Sequence, residues 1–172
     1  DNQHVRQSLE ICKHLIVMGY RILLVPHTFR PTQPSPKVCD LAVAKIIFEL
    51  ANDPNVLLID EDLSPVELKA IIANADFHIG ARYHSIVAAL SSGVPAISIS
   101  WHPKYRDLMR SYGMEDYVLE ERDASHLATM LRKIVAHKEK MRLQLDLHQG
   151  GVAQKVKENA RLFDELLKGS RA

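Results

Sequence analysis

Five short apolar runs, "RILLVPH" (residues 21–27), "VLLID" (56–60), "DFHIG" (76–80), "PAISIS" (95–100) and "DYVLE" (116–120), alternate with segments of helical period. No other feature narrows the fold as far. Apolar runs of this length read as strands, and a continuous one such as "RILLVPH" as a strand covered on both faces. A strand that returns to its sheet through a helix runs parallel to its predecessor. The expected fold is therefore α/β, a doubly wound and mainly parallel sheet. In "PAISIS", Pro95 fits only at the first strand position, because it has no N–H to give to a ladder.

The helices carry their own punctuation. Val5, Leu9, Cys12, Ile16 and Val17 recur at helical spacing over residues 3–18, and Gly19 follows as a stop. "TFRPTQPSPK" (28–37) has three prolines in ten residues and reads as a long loop, and a second helix follows over 38–51. Ser64, Pro65 and Glu67 spell a capping box with proline at the first helical position, so a helix is expected from 65 to about 74. "YHSIVAALSSG" reads as a helix ending at Gly93, and residues 103–113 as one closed by Gly113. Helical pattern resumes over 123–147 and again over 151–168, with "HQGG" as a break between them. The expected organisation is one domain over 1–147 and a helical tail over 148–172. The chain begins inside a helix-then-strand unit, which reads as a cut within a larger protein.

Composition excludes more than it proposes. The 172 residues are 47% apolar and 25% charged, enough for a sizeable core, and the net charge of +1 provides no basic field for nucleic acid or anionic membrane. No run reaches the ~18 apolar residues of a membrane span. Cys12 and Cys39 have neither metal-site spacing nor the density of a secreted disulfide scaffold, so reduced thiols in a cytoplasmic protein are expected, with Cys12 in the core.

In open parallel sheets, ligands bind beyond the carboxyl ends of the strands. Gly80 to Ser85, "GARYHS", is such a strand-to-helix turn. The N–H groups and partial positive charge of a helix start favour a phosphate or carboxylate. Arg82 adds a planar fork of donors, and His84 adds a hydrogen-bond donor or proton carrier near neutral pH. A lone loop arginine is ordinarily a solvated charge and a lone histidine a structural one. Their coincidence at one turn makes Gly80, Arg82, His84 and Ser85 a candidate anion site. The loop after the adjacent strand, "SWHPKYRD" (100–107), offers His102 and Lys104, and the end of the first strand offers His27 and Arg30.

No GxxxxGK[ST] loop, GxGxxG turn, HExxH or paired-cysteine motif is present, and no metal site is expected. His78 lies within a strand and is expected to pack there. Arg132, Lys133, Lys138, Lys140 and Arg142 read as a solvated helix face.

The stretch "DFHIGARYHSIVAALSSGVPAISISWHPK" (76–104) resembles the signature region of the polysaccharide pyruvyl transferase family: a strand, an Arg-x-His turn, a small-residue helix, a Gly-Val-Pro and a strand ending near a Lys. A looser likeness extends over 5–135, through "GYRILLVPH" and "LIDEDLSPVELKAIIANAD". The resemblance implies two Rossmann-like domains facing across a cleft, as in GT-B glycosyltransferases, with this chain as the carboxyl-terminal, donor-binding half. It implies transfer of the pyruvyl unit of phosphoenolpyruvate, as a ketal, to two hydroxyls of a sugar in a cell-surface or exopolysaccharide. Phosphoenolpyruvate is then a substrate and no cofactor is implied. The acceptor would be a sugar or a lipid-linked oligosaccharide, which would hold a cytoplasmic enzyme at the membrane periphery. Arg82 and His84 occupy the positions implicated in holding the donor, with His84 as the catalytic residue, and Tyr83 stands where Leu is common. Two other readings stay open at this point. One is the donor half of a nucleotide-sugar glycosyltransferase, weakened because residues 96–107 hold no Glu; the other is a non-catalytic binding module.

Overall fold

The computed structural model describes residues 3–29, 39–100, 102–119 and 126–169, with backbone alone at 152–153 and 164–169. In chain order the elements are α1 (Gln3–Val17), β1 (Ile22–Leu24), α2 (Asp40–Ala51), β2 (Val56–Leu58), α3 (Pro65–Ala73), β3 (His78–Gly80), α4 (Tyr83–Leu90), β4 (Ala96–Ile99), α5 (Pro103–Ser111), a 3-10 turn (Glu115–Tyr117), β5 (Val118–Leu119) and α6 (Leu127–Gly169).

Among the described residues every strand pairing is parallel, as the alternation requires. Instead of one sheet, the strands form two open ladders: β1 beside β2, with Ile22 opposite Val56, and β3–β4–β5, with Gly80 opposite Ser98 and Ile99 opposite Leu119. The strands are two to four residues long. Soon after β1 comes Pro26, which has no N–H to extend a ladder. β4 is buried along its whole length, and Ile97 joins Ile86, Leu90, Met109, Leu119, Leu131, Ile134 and Leu145 in the main core. A smaller cluster of Val5, Cys12 and Ile47 holds α1 against α2. Cys12 is in the core as expected.

Local chemistry sets several boundaries where the sequence places them. The Ser64 N–H donates to Glu67 Oε2 at 2.8 Å and the Glu67 N–H donates to Ser64 Oγ at 3.3 Å, the reciprocal pair of a capping box. Gly93 takes the left-handed conformation after α4, with φ of 73°.

The expected break at "HQGG" is absent, because α6 runs unbroken from Leu127 to Gly169. Each helical glycine costs about 1 kcal/mol relative to alanine, too little to stop a helix whose preceding turns are anchored. The anchors are Leu145, fully buried, and Gln149, whose Nε2 donates to the Leu90 carbonyl at 3.2 Å. Leu127, Leu131, Ile134, Met141 and Leu145 form the buried stripe, at steps of three and four with one slot left between Ile134 and Met141. Lys138 takes that slot, and its Nζ lies 2.7 Å from Asp76 and 5.3 Å from the centre of the Tyr20 ring. Arg142 Nη2 donates to the carbonyls of Ala75 at 2.6 Å and Asp76 at 3.1 Å. The basic positions of this helix are thus not merely solvated: Lys138 and Arg142 clamp it to the start of β3, and Lys133 pairs with Asp116. Residues 154–163 are exposed. Among the described residues, no helix is long and apolar enough to cross a membrane.

Candidate functional site

The carboxyl end of β3 carries the expected turn. Arg82 is the N-cap of α4, and its carbonyl accepts from the N–H groups of Ser85 at 3.1 Å and Ile86 at 3.2 Å. Ser64 and His102 cap α3 and α5 with side-chain acceptors, whereas the N-cap residue of α4, Arg82, makes no side-chain cap hydrogen bond among the described residues. Its amino terminus therefore keeps the donor character that suits an anion.

Beneath the turn lies a small hydrogen-bonded bracket. Ser85 is buried, and its Oγ donates to the Arg82 carbonyl at 2.8 Å and lies 3.0 Å from His78 Nε2. The hydroxyl of Ser85, a candidate ligand contact, is engaged inside the turn. Gly80 is required here by space. A Cβ at this position would stand 2.6 Å from both His78 Nε2 and Ser85 Oγ, the two atoms of the bracket. Burial pushes the His78 imidazole down to about 4, with a smaller push from His27, so the ring beneath the site is neutral at physiological pH.

Above the bracket, Arg82 and His84 are exposed. The Arg82 guanidinium is held by Asp40, the first residue of α2: Nη2 donates to Oδ1 at 2.5 Å, and Nε donates to Oδ1 at 3.2 Å and Oδ2 at 3.1 Å. This hydrogen bond to Asp40 raises the Arg82 pKa, so the side chain stays cationic. Asp40 Oδ2 also accepts the Thr28 N–H at 3.0 Å, and the Asp40 N–H donates to the Thr28 carbonyl at 3.0 Å. The start of α2 is thereby tied to the chain that leaves β1.

His27, on that chain, is half-buried, and its Nε2 is buried without a hydrogen-bond partner among the described residues. Burial lowers its pKa. Asp40 opposes that shift, and Arg82 and His84 add to it, so the ring lies within the field of all three. An unmatched buried nitrogen costs about 1–3 kcal/mol until a partner arrives, which is acceptable where a ligand provides one.

The third loop closes the cluster. Tyr105 is buried and donates its hydroxyl to the Ala81 carbonyl at 2.9 Å, while its ring meets that of Tyr83 edge-on at 5.5 Å. Lys104 Nζ stands 5.3 Å from the centre of the Tyr83 ring and 5.6 Å from that of Tyr105. Tyr83 thus packs against Tyr105 and also carries the lysine. His102 has a capping role, its Nδ1 accepting the Lys104 N–H at 3.2 Å. Arg30 lies outside the described residues. The structure brings His27, Arg82, His84 and Lys104 to the carboxyl ends of β1, β3 and β4. It adds Asp40 and Thr28, which sequence reasoning missed, and gives Tyr105, in the expected loop, a hydrogen bond to the turn. An acid in the first turn of a helix reads as a complement to the helix dipole, and that ordinary role concealed Asp40.

The family model described as polysaccharide pyruvyl transferase matches residues 2–103, more than half of the chain and the whole Arg82–His84 turn. The chain belongs to the polysaccharide pyruvyl transferase family. No curated protein and no solved structure is matched. Within this polysaccharide pyruvyl transferase family member, the matched region ends just before Lys104 and includes both sides of the Asp40–Arg82 contact.

Proposed function

We propose that this chain binds phosphoenolpyruvate at the Arg82–His84 turn and serves as the donor half of a pyruvyl transferase. The observation that carries this reading is the convergence of the α4 amino terminus, the Arg82 guanidinium, Lys104 and the unmatched His27 nitrogen at the carboxyl ends of β1, β3 and β4. Phosphoenolpyruvate has two anionic groups on a three-carbon frame, so it suits a site with several donors spread over three loops.

In the reaction, two sugar hydroxyls add to the enol carbon, the bond from that carbon to the phosphate oxygen breaks, and the methylene becomes a methyl. One hydroxyl proton ends on that methyl and the other leaves with phosphate. His84, exposed at the start of α4, protonates the methylene carbon or the departing phosphate. Arg82 and Lys104 hold the donor's anionic groups. The acceptor, a sugar or lipid-linked oligosaccharide of a cell-surface polysaccharide, approaches from a facing domain of GT-B type, with the enzyme in the cytoplasm. The reading calls for no cofactor.

Calorimetric titration with phosphoenolpyruvate tests the donor site. Binding that Arg82→Ala weakens at least tenfold supports the reading, at about 1.4 kcal/mol per tenfold. Preference for a uridine diphosphate over phosphoenolpyruvate would overturn it in favour of a glycosyl donor. His84→Ala is expected to weaken donor binding and remove turnover in the enzyme; unchanged donor binding and turnover would remove His84 from the site and from the chemistry.

A further inference from the structure

A guanidinium has five N–H donors on a rigid plane and can serve two acceptors along different edges. Asp40 takes the edge formed by Nε and one proton of Nη2. The other edge, Nη1 with the outer proton of Nη2, has no protein acceptor among the described residues. Asp40 is the more sheltered partner, its side chain 22% exposed against 55% for Arg82. It is also held from behind, through Oδ2 to the Thr28 N–H and through its own N–H to the Thr28 carbonyl, both at 3.0 Å. The carboxylate is therefore the fixed member of the pair.

We propose that Asp40 is a positioning residue for the donor site: it orients the Arg82 guanidinium so that the Nη1–Nη2 edge faces the anion. This rests on the donor reading above. The opposite role, a latch that occupies the donor's place and must leave, fits the geometry poorly. A latch would cover the edge that the ligand needs, and it would not be tied down by two backbone hydrogen bonds. The two roles also predict opposite signs. A positioning carboxylate improves anion binding despite its like charge, whereas a latch weakens it.

The test is calorimetric titration of the full chain with phosphoenolpyruvate, and separately with inorganic phosphate, for the wild type, Asp40→Asn, Arg82→Ala, the double variant and Arg82→Lys. Asp40→Asn keeps the size of the side chain but replaces a charged fork with a neutral contact, and is expected to weaken phosphoenolpyruvate about tenfold. In the Arg82→Ala background the same change is expected to have no further effect, which a general loss of structure would not produce. Arg82→Lys keeps the charge but has no second edge, and is expected to lose nearly as much as Arg82→Ala. Unchanged or tighter binding by Asp40→Asn in a chain whose wild type binds overturns the inference and leaves the donor reading standing. Wild-type affinity in Arg82→Lys overturns it as well. A wild type that binds no phosphoenolpyruvate overturns the donor reading, and this inference with it.

Discussion

Gly80→Ala adds one methyl group where the turn has no room for it. The backbone at Gly80 is outside the left-handed region, so alanine brings no conformational penalty, and the whole effect is steric. The new Cβ would stand 2.6 Å from both His78 Nε2 and Ser85 Oγ, about 0.8 Å inside the ~3.4 Å at which ordinary contact begins, so both side chains must retreat. They bond each other at 3.0 Å, and neither retreats without stretching that bond. Overpacking costs about 1–3 kcal/mol and an abandoned buried hydrogen bond about 1 kcal/mol more, for an expected loss of about 2–4 kcal/mol. Urea denaturation followed by circular dichroism reads this directly. With m near 2 kcal/mol/M, the midpoint falls by about 1–2 M. The internal control is Ser85→Ala, which removes one of the two obstructing atoms. The double variant is expected to be at least about 1 kcal/mol more stable than the sum of the single effects predicts. A Gly80→Ala chain within about 0.5 kcal/mol of wild type, with additive behaviour in the double variant, would refute the reasoning.

Two further outcomes are expected. The His78 imidazole titrates at about 4 in the folded chain against an ordinary 6.5, so the unfolded chain takes up the proton first. The stability due to its neutral burial is complete above pH 6.5 and is lost as pH falls toward 4, by about 3 kcal/mol at 1.36 kcal/mol per pH unit. His78→Gln is expected to flatten that component in urea titrations between pH 4 and 7.5, and an unchanged slope would show that His78 is not its source. Tyr105→Phe removes only the hydroxyl that binds the Ala81 carbonyl, and is expected to cost about 1 kcal/mol by the same denaturation and to weaken phosphoenolpyruvate binding. Unchanged affinity would separate Tyr105 from the site.

The features legible in the sequence were those whose physics is local. The Ser64 capping box spans four residues, and its two hydrogen bonds are those its spelling implies. The Arg82–His84 turn was legible because a short apolar run, a glycine and a small-residue helix follow one another directly. What escaped were partnerships across the chain. Asp40 and Arg82 are 42 positions apart, and neither residue type indicates that the other is its partner. Ser85 was correctly placed at the turn, but residue type does not report whether a hydroxyl faces outward to a ligand or inward to a carbonyl. The glycine pair at 150–151 misled for the opposite reason. Its local cost is real, yet the anchored turns before it outweigh that cost, and no Cβ added at either glycine would meet another atom within 4 Å.

These particulars bear on how the site selects its ligand. Burial holds His78, a member of the bracket, neutral and lowers the pKa of His27. Asp40 opposes the charge of Arg82 and takes its Nε–Nη2 edge, while the Nη1–Nη2 edge has no acceptor among the described residues. The positive character that remains comes from Lys104 and from the amide groups at the start of α4. A site arranged in this way attracts anions weakly at long range and discriminates among them at contact, by whether their oxygens meet donors fixed by other residues. Under the proposed donor reading, such an arrangement suits phosphoenolpyruvate, which carries two anionic groups on one frame, and gives an acidic residue against the arginine a positioning role that a second basic residue would not have.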